Sequence, residues 1–138
     1  MTHDDVQAWL DRYVAAWLSY DPVAIGELFS EDVEYRFHPS HEGDRVLRGR
    51  AAVVAGWLEP ELHDDPATVD ARYRPFAVDG DRAVAVGWSR YLEAPGGAVR
   101  EAYDNCYLLR FAADGRCAQF TEFWVKRPDE TAASPPGT

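Results

Sequence analysis

Residues 33–39 read VEYRFHP, and the side chain in them best suited to chemistry is His38. An imidazole of ordinary pKa can take or give a proton near neutral pH. The stretch alternates, so Val33, Tyr35 and Phe37 share one side of a strand and Glu34, Arg36 and His38 the other. Two orientations satisfy that pattern. In one, His38 faces water at an ordinary half-buried edge. In the other, the strand lines a cavity and His38 stands where acid–base chemistry is done.

A second group comes from the last hairpin. Asp114-Gly115 suits a two-residue turn flanked by Ala113 and Arg116. That turn sets Asn105 opposite Trp124, Tyr107 opposite Glu122 and Leu109 opposite Phe120, all on one face. An apolar wall carrying a few fixed polar groups is what a ligand pocket needs. A dimer interface or a solvated sheet face is the blander reading. Glu122, if buried, would have a raised pKa and act as acid or base; the competing arrangement is a salt bridge to Arg36 or Arg90. On the other face Cys106 falls opposite Phe123 and Cys117 opposite Ala112, too far apart for a disulfide.

His38-Pro39-Ser40-His41 is a short His-x-x-His, but it lacks further ligands around an ion and the proline breaks any helical spacing. No metal site is expected. Trp88 is either a pocket wall or core. The sequence has no glycine-rich phosphate loop and no G-x-S-x-G elbow.

These residues must be positioned by a chain of 138 residues, a length for one domain. The expected domain is 1–127, and 128–138, rich in Pro, Ser and Thr, is expected to be a disordered tail. Val6, Leu10, Tyr13, Val14, Trp17 and Leu18 recur at helical spacing to about Ser19, with Thr2 or Asp4 as cap. Asp21-Pro22 opens a second helix carrying Ile25, Leu28 and Phe29. A strand follows at about 33–38, then a loop, then a third helix over 51–58. Period-two patterning over 68–78, 83–93, 100–111 and 116–126 predicts four antiparallel strands. Helices gathered at one end and strands at the other make an α+β class. A long curved sheet with helices on its concave face would enclose a pocket. The formal net charge of −10 argues against nucleic acid and anionic membrane surfaces as partners. No apolar run is long enough to span a bilayer, and the acidic N-terminus is no signal peptide, so a cytoplasmic location is expected.

RYVAAW (12–17), DPVAIGELFSEDVEY (21–35), Pro39, RGRAAV (48–53), YLLRF with DG (107–115) and FTEFWV (120–125) together resemble the nuclear-transport-factor-2-like superfamily, also called SnoaL-like, which includes ketosteroid isomerase. The resemblance covers about residues 5–126. It implies a cone-shaped curved antiparallel sheet with three N-terminal helices over its concave face, an α+β barrel. It puts Tyr13 at the isomerase's oxyanion-binding tyrosine. His38 takes the place of the general base before a proline, if the strand bulges there; without a bulge that place falls on Phe37. Tyr107 takes the place of the second oxyanion donor.

The resemblance, taken with the hairpin face and the strand patterning, further implies a small, largely apolar ligand bearing a carbonyl or hydroxyl, with Trp17, Tyr35, Trp88, Asn105, Phe120 and Trp124 as its contacts. It points to cofactor-free proton transfer by His38 or Glu122, with Tyr13 and Tyr107 on the oxyanion, as in an isomerase, cyclase or lyase. A non-catalytic binding or dimerisation module is the alternative, and an epoxide-hydrolase-like enzyme a further one. The fold commonly pairs through its sheet, so a homodimer is expected.

Overall fold

The computed structural model describes residues 1–128, and the expected tail from residue 129 lies outside them. The first helix, α1 (His3–Ser19), opens on a reciprocal cap: the Asp5 N–H donates to Thr2 Oγ1 (3.1 Å) and the Thr2 N–H to the Asp5 carboxylate (2.9 Å). Its buried stripe is Val6, Trp9, Leu10, Tyr13 and Ala16. It ends at Tyr20, which holds a left-handed φ of 51°. A non-glycine residue is uncommon there, and the bend swings the Tyr20 ring away from the helix. Asp21 then caps α2 (Pro22–Glu27), accepting from the Val23 N–H at 3.0 Å.

Strand β1 (Phe29–Arg36) starts four residues before the expected Val33 and stops before His38. Phe29 pairs with Cys117, and pairing is regained at Glu34 after an irregularity that absorbs the polar Ser30-Glu31-Asp32 run. That run hid the early start, because it breaks the alternation on which strands are read. The segment expected as pure loop holds a two-residue strand, β2 (Leu47–Arg48), too short to show a period. Helix α3 (Arg50–Trp57) follows. Then come β3 (Val69–Asp79), β4 (Arg82–Leu92), β5 (Val99–Phe111) and β6 (Cys117–Lys126), close to the expected bounds.

The sheet runs β2-β1-β6-β5-β4-β3 and is open at both edges. Every pairing is antiparallel except β1 with β6, which is parallel, a departure from a purely antiparallel sheet. β1 is reached from the helices and not from a hairpin, so nothing forces it to reverse direction.

The last hairpin carries two compensating irregularities. Its turn is one residue longer than expected, with Gly115 at φ 86° and Ala112 bonded to Arg116. Cys117 therefore pairs with Phe111 and not Ala112. A bulge at once restores the register, so Leu109–Phe120, Tyr107–Glu122 and Asn105–Trp124 pair as expected. Cys106 and Cys117 are free.

The core lies between the helices and the concave face. Trp9, Phe29, Tyr35, Tyr107 and Phe120 are all nearly inaccessible, each worth about 2–3 kcal/mol of burial. Trp9 also donates its indole N–H to the Leu28 carbonyl at 3.0 Å. Among the described residues, no helix is long and apolar enough to cross a membrane.

Candidate functional site

The core is not filled at one end of the cone. A cavity of about 460 Å³ opens between α1, α3 and the concave face, within the range of small-molecule sites. Its inner wall is built of tyrosines. Tyr13 comes from α1, Tyr35 from β1, Tyr73 from β3 and Tyr107 from β5. The Tyr107 ring lies 5.0 Å from Tyr73 and 5.7 Å from Tyr13, centroid to centroid. Phe120 is the floor beneath them, stacked flat on Tyr35 at 4.3 Å, and does not line the cavity. Tyr73 can lie across β4 because residue 87 is glycine; a Cβ there would collide with the Arg72 carbonyl and the Tyr73 ring.

Burial pushes the phenols of Tyr13, Tyr35 and Tyr107 well above their ordinary pKa, and it raises Tyr73 as well. All four therefore stay protonated and can donate hydrogen bonds. Trp57 of α3 adds a fifth donor. It is 8% exposed, it lines the cavity, and its Nε1 has no hydrogen-bond partner. The Trp57 indole acts on the Tyr35 hydroxyl, but falls short of hydrogen-bond geometry with it.

Facing these donors is one carboxylate, Glu122 of β6. Among the described residues no Arg, Lys or His forms an ion pair with it. The expected salt bridge to Arg36 or Arg90 is not made, because both side chains leave from the opposite face: Arg36 pairs with Glu34 and Arg90 with Asp70. Desolvation raises Glu122 to about 7, and the only opposing influence is the amide of Asn105, whose Nδ2 donates to Glu122 Oε1 at 3.5 Å. Asn105 is itself oriented by Ser89, whose hydroxyl donates to Oδ1 at 3.2 Å. With the oxygen of the amide engaged by a donor, its NH2 must point toward Glu122. Ser89 and Asn105 are both buried.

The mouth is lined by Trp17, Tyr91, Tyr103, Asp64, Arg100 and Trp124. Trp124 is 47% exposed. His38 stands outside this rim. Its ring lies edge-on to Trp124 at 5.8 Å, and its Nδ1 is engaged by the Ser40 hydroxyl at 2.7 Å and the Ser40 N–H at 3.1 Å. The bulge expected before Pro39 does not occur. The strand ends at Arg36, and Phe37 turns into the cavity in place of His38. Trp88 is also misplaced by the sequence reading. It pairs with Asp104 on the opposite face, with the Arg90 guanidinium 5.1 Å above its ring.

The cavity thus brings together Tyr13, Trp17, Tyr35, Asn105, Tyr107, Glu122 and Trp124 from the residues singled out in the sequence, and leaves out His38, Trp88 and Phe120. Trp57, Asp64, Tyr73, Ser89 and Tyr91 were missed. Tyr73 and Tyr91 share the parity of their strands' inward face, a signal present in the alternation. Asp64 sits in an irregular connection and gave none. Among the described residues no three His, Cys, Asp or Glu side chains gather as a metal-binding group.

The profile of the SnoaL-like domain family matches residues 10–120. Among solved structures, a candidate ketosteroid isomerase from Kribbella flavida superposes with a TM-score of 0.65 at 20% identity, over 98% of this chain and 85% of that one. A protein from Sphaerobacter thermophilus follows at 0.61 and 15% identity, covering 86% of this chain and 94% of that one. An NTF2-like protein of unknown function from Cytophaga hutchinsonii gives 0.58 at 18% identity, over 86% and 98%. At these identities the likeness concerns the fold. No curated protein matches the chain.

Proposed function

The chain belongs to the SnoaL-like domain family, and from that membership we propose that its cavity binds a small, largely apolar carbonyl compound and moves a proton on it without a cofactor. The observation that carries this reading is the unpaired Glu122 facing a cluster of phenolic and indole donors. At neutral pH a group titrating at about 7 is divided between its two forms, which is what a base that must later act as an acid requires.

In the proposed step, ionised Glu122 takes a proton from the carbon next to the carbonyl. The electron pair left behind moves onto the carbonyl oxygen. Tyr13 and Tyr107 donate hydrogen bonds to that oxyanion, and Trp57 Nε1 gains the acceptor it lacks. In a substrate with a carbon–carbon double bond one carbon further along, Glu122 then returns the proton to the far carbon of that double bond; the oxyanion's electron pair re-forms the carbonyl as the double bond shifts, completing an isomerisation. His38 has no part in this step, because it stands outside the rim.

The test is solvent-deuterium incorporation into small alicyclic and aromatic ketones, followed by mass spectrometry. Incorporation that depends on Glu122 supports the reading. A cavity that binds such ketones without any exchange contradicts it and leaves a binding module.

A separate observation favours pairing of two copies. Leu108, Phe123 and Val125 are exposed together on the convex face of β5 and β6, a contiguous apolar patch of the kind that marks an interface. We propose a homodimer through that face. Sedimentation at micromolar concentration should give twice the chain mass, and Phe123→Glu should return it to monomer.

A further inference from the structure

We propose that the mouth of the cavity receives a protonated amine, held between the Asp64 carboxylate and the rings of Trp17 and Tyr91, so that the ligand carries a carbonyl at one end and a basic nitrogen at the other. This rests on the reading that the cavity is the ligand site. The inner end supplies donors for an oxygen. The mouth supplies a different chemistry.

Asp64 is fixed there from two sides. Trp17 Nε1 donates to its Oδ2 at 3.3 Å, and its backbone N–H donates to the Tyr20 hydroxyl at 2.8 Å. The Tyr20 ring is in turn stacked on His63 at 3.8 Å. The Trp17 and Tyr91 rings stand 6.4 Å apart. Trp17 meets the carboxylate by its indole N–H, and the Tyr91 ring beside Trp17 already carries a guanidinium over its face; a cation here gains from the Asp64 charge and from the neighbouring ring quadrupoles. Asp64 forms no ion pair among the described residues. Burial raises its pKa, so a ligand cation would relieve an unfavourable charge.

Arg100 shows that the mouth already attracts positive charge. Its guanidinium lies over the Tyr91 ring at 6.0 Å and reaches Glu101 at 3.4 Å. It also acts on Asp64. Its side chain is half exposed, and in this proposal it is a resident counter-ion that a ligand amine displaces. Counted as formal charges, Asp64, Glu101 and Glu122 outnumber Arg100 among the lining residues. The buried, unpartnered Trp57 Nε1 at the other end independently marks the cavity as built for a polar ligand.

The experiment is calorimetric titration of the full chain with phenethylamine, phenethyl alcohol and hydrocinnamate at neutral pH. The amine should bind roughly tenfold more tightly than the alcohol. Asp64→Asn should erase that difference, and Arg100→Ala should tighten the amine by removing its competitor. Tightest binding of hydrocinnamate, lost in Arg100→Ala, would make the mouth an anion site and overturn the proposal. Equal affinity for amine and alcohol also overturns it, while leaving the cavity as a ligand site. Failure of all three probes to bind would overturn both this proposal and the reading on which it rests.

Discussion

The rim and outer face of the sheet treat their carboxylates in one way, and the depth of the cavity treats its own in the opposite way. On the convex face Glu34 is met by Arg36 and Arg48, Asp70 by Arg90 and Asp104 by Arg127, and at the cavity mouth Glu101 is reached by Arg100 and Lys126. Deep in the cavity Glu122 has, among the described residues, only a 3.5 Å hydrogen bond from an amide. Both kinds of carboxylate are carried on strands of one sheet, so secondary structure does not explain the contrast. A charge kept in a low-dielectric site without a counter-ion costs stability. The convex pairs are ordinary solutions to exposure. Glu122 is tolerated at a cost, and the tyrosines opposite it indicate what that cost serves.

The contrast breaks most visibly at Glu122. Glu122→Gln should lower deuterium incorporation by at least about 100-fold. It should also stabilise the protein, on the order of 2 kcal/mol above pH 7, in thermal unfolding. The sign follows from the raised pKa. Between the ordinary value of 4.5 and about 7 the folded chain holds a proton that the unfolded chain has lost. Stability from this group is therefore complete below about 4.5 and is lost as the pH rises through about 7. Glutamine is neutral throughout and removes that fall. A variant that is less active and more stable is the signature of a functional carboxylate; one that is less active and less stable would mark Glu122 as structural.

Tyr13→Phe comes next. Loss of one oxyanion donor should reduce turnover by roughly 10–100-fold, with a smaller effect on ligand affinity. Equal losses in both would mean that Tyr13 only binds. Asn105→Ala should act more gently. It removes the one influence holding the Glu122 pKa down, so the rising, acid-side limb of the pH–rate profile should move to higher pH and activity at neutral pH should fall several-fold. Ser89→Ala should do the same in weaker form.

The smallest effects belong outside the cavity. Asp104→Asn breaks a two-pronged pair with Arg127 at 2.9 and 2.8 Å. At an exposed site this should cost less than about 1 kcal/mol in thermal unfolding and leave turnover unchanged. His38→Ala should alter turnover less than about twofold. A large loss there would move the chemistry from Glu122 to the strand end.

How much of this the sequence carried differs between the same regions. The hairpin face of Asn105, Tyr107, Glu122 and Trp124 was legible, because a glycine turn and strict alternation fix which side chains face together. It was legible partly by compensation, since the longer turn at Gly115 and the bulge beside Phe111 cancel. The end of β1 was not legible. Whether Phe37 or His38 turns inward depends on where the strand lets go before Pro39, and both residues fit the alternation. The partner of Glu122 was also beyond reach. Arg36 and Arg90 are near enough in topology, and only the parity of their strands sends them to the other face. Trp57 keeps the helical spacing of Val53 in α3, but that spacing does not tell core from cavity, and Asp64 enters from an irregular connection where neither period applies.

The most direct measurement is a carbon-13 NMR titration of the Glu122 side-chain carboxyl, assigned by comparison with Glu122→Gln. A midpoint near 7 would establish the desolvated, unpaired carboxylate on which the proposed proton transfer depends. A midpoint close to the ordinary 4.5 would mean that the charge is solvated or paired, and would contradict the account.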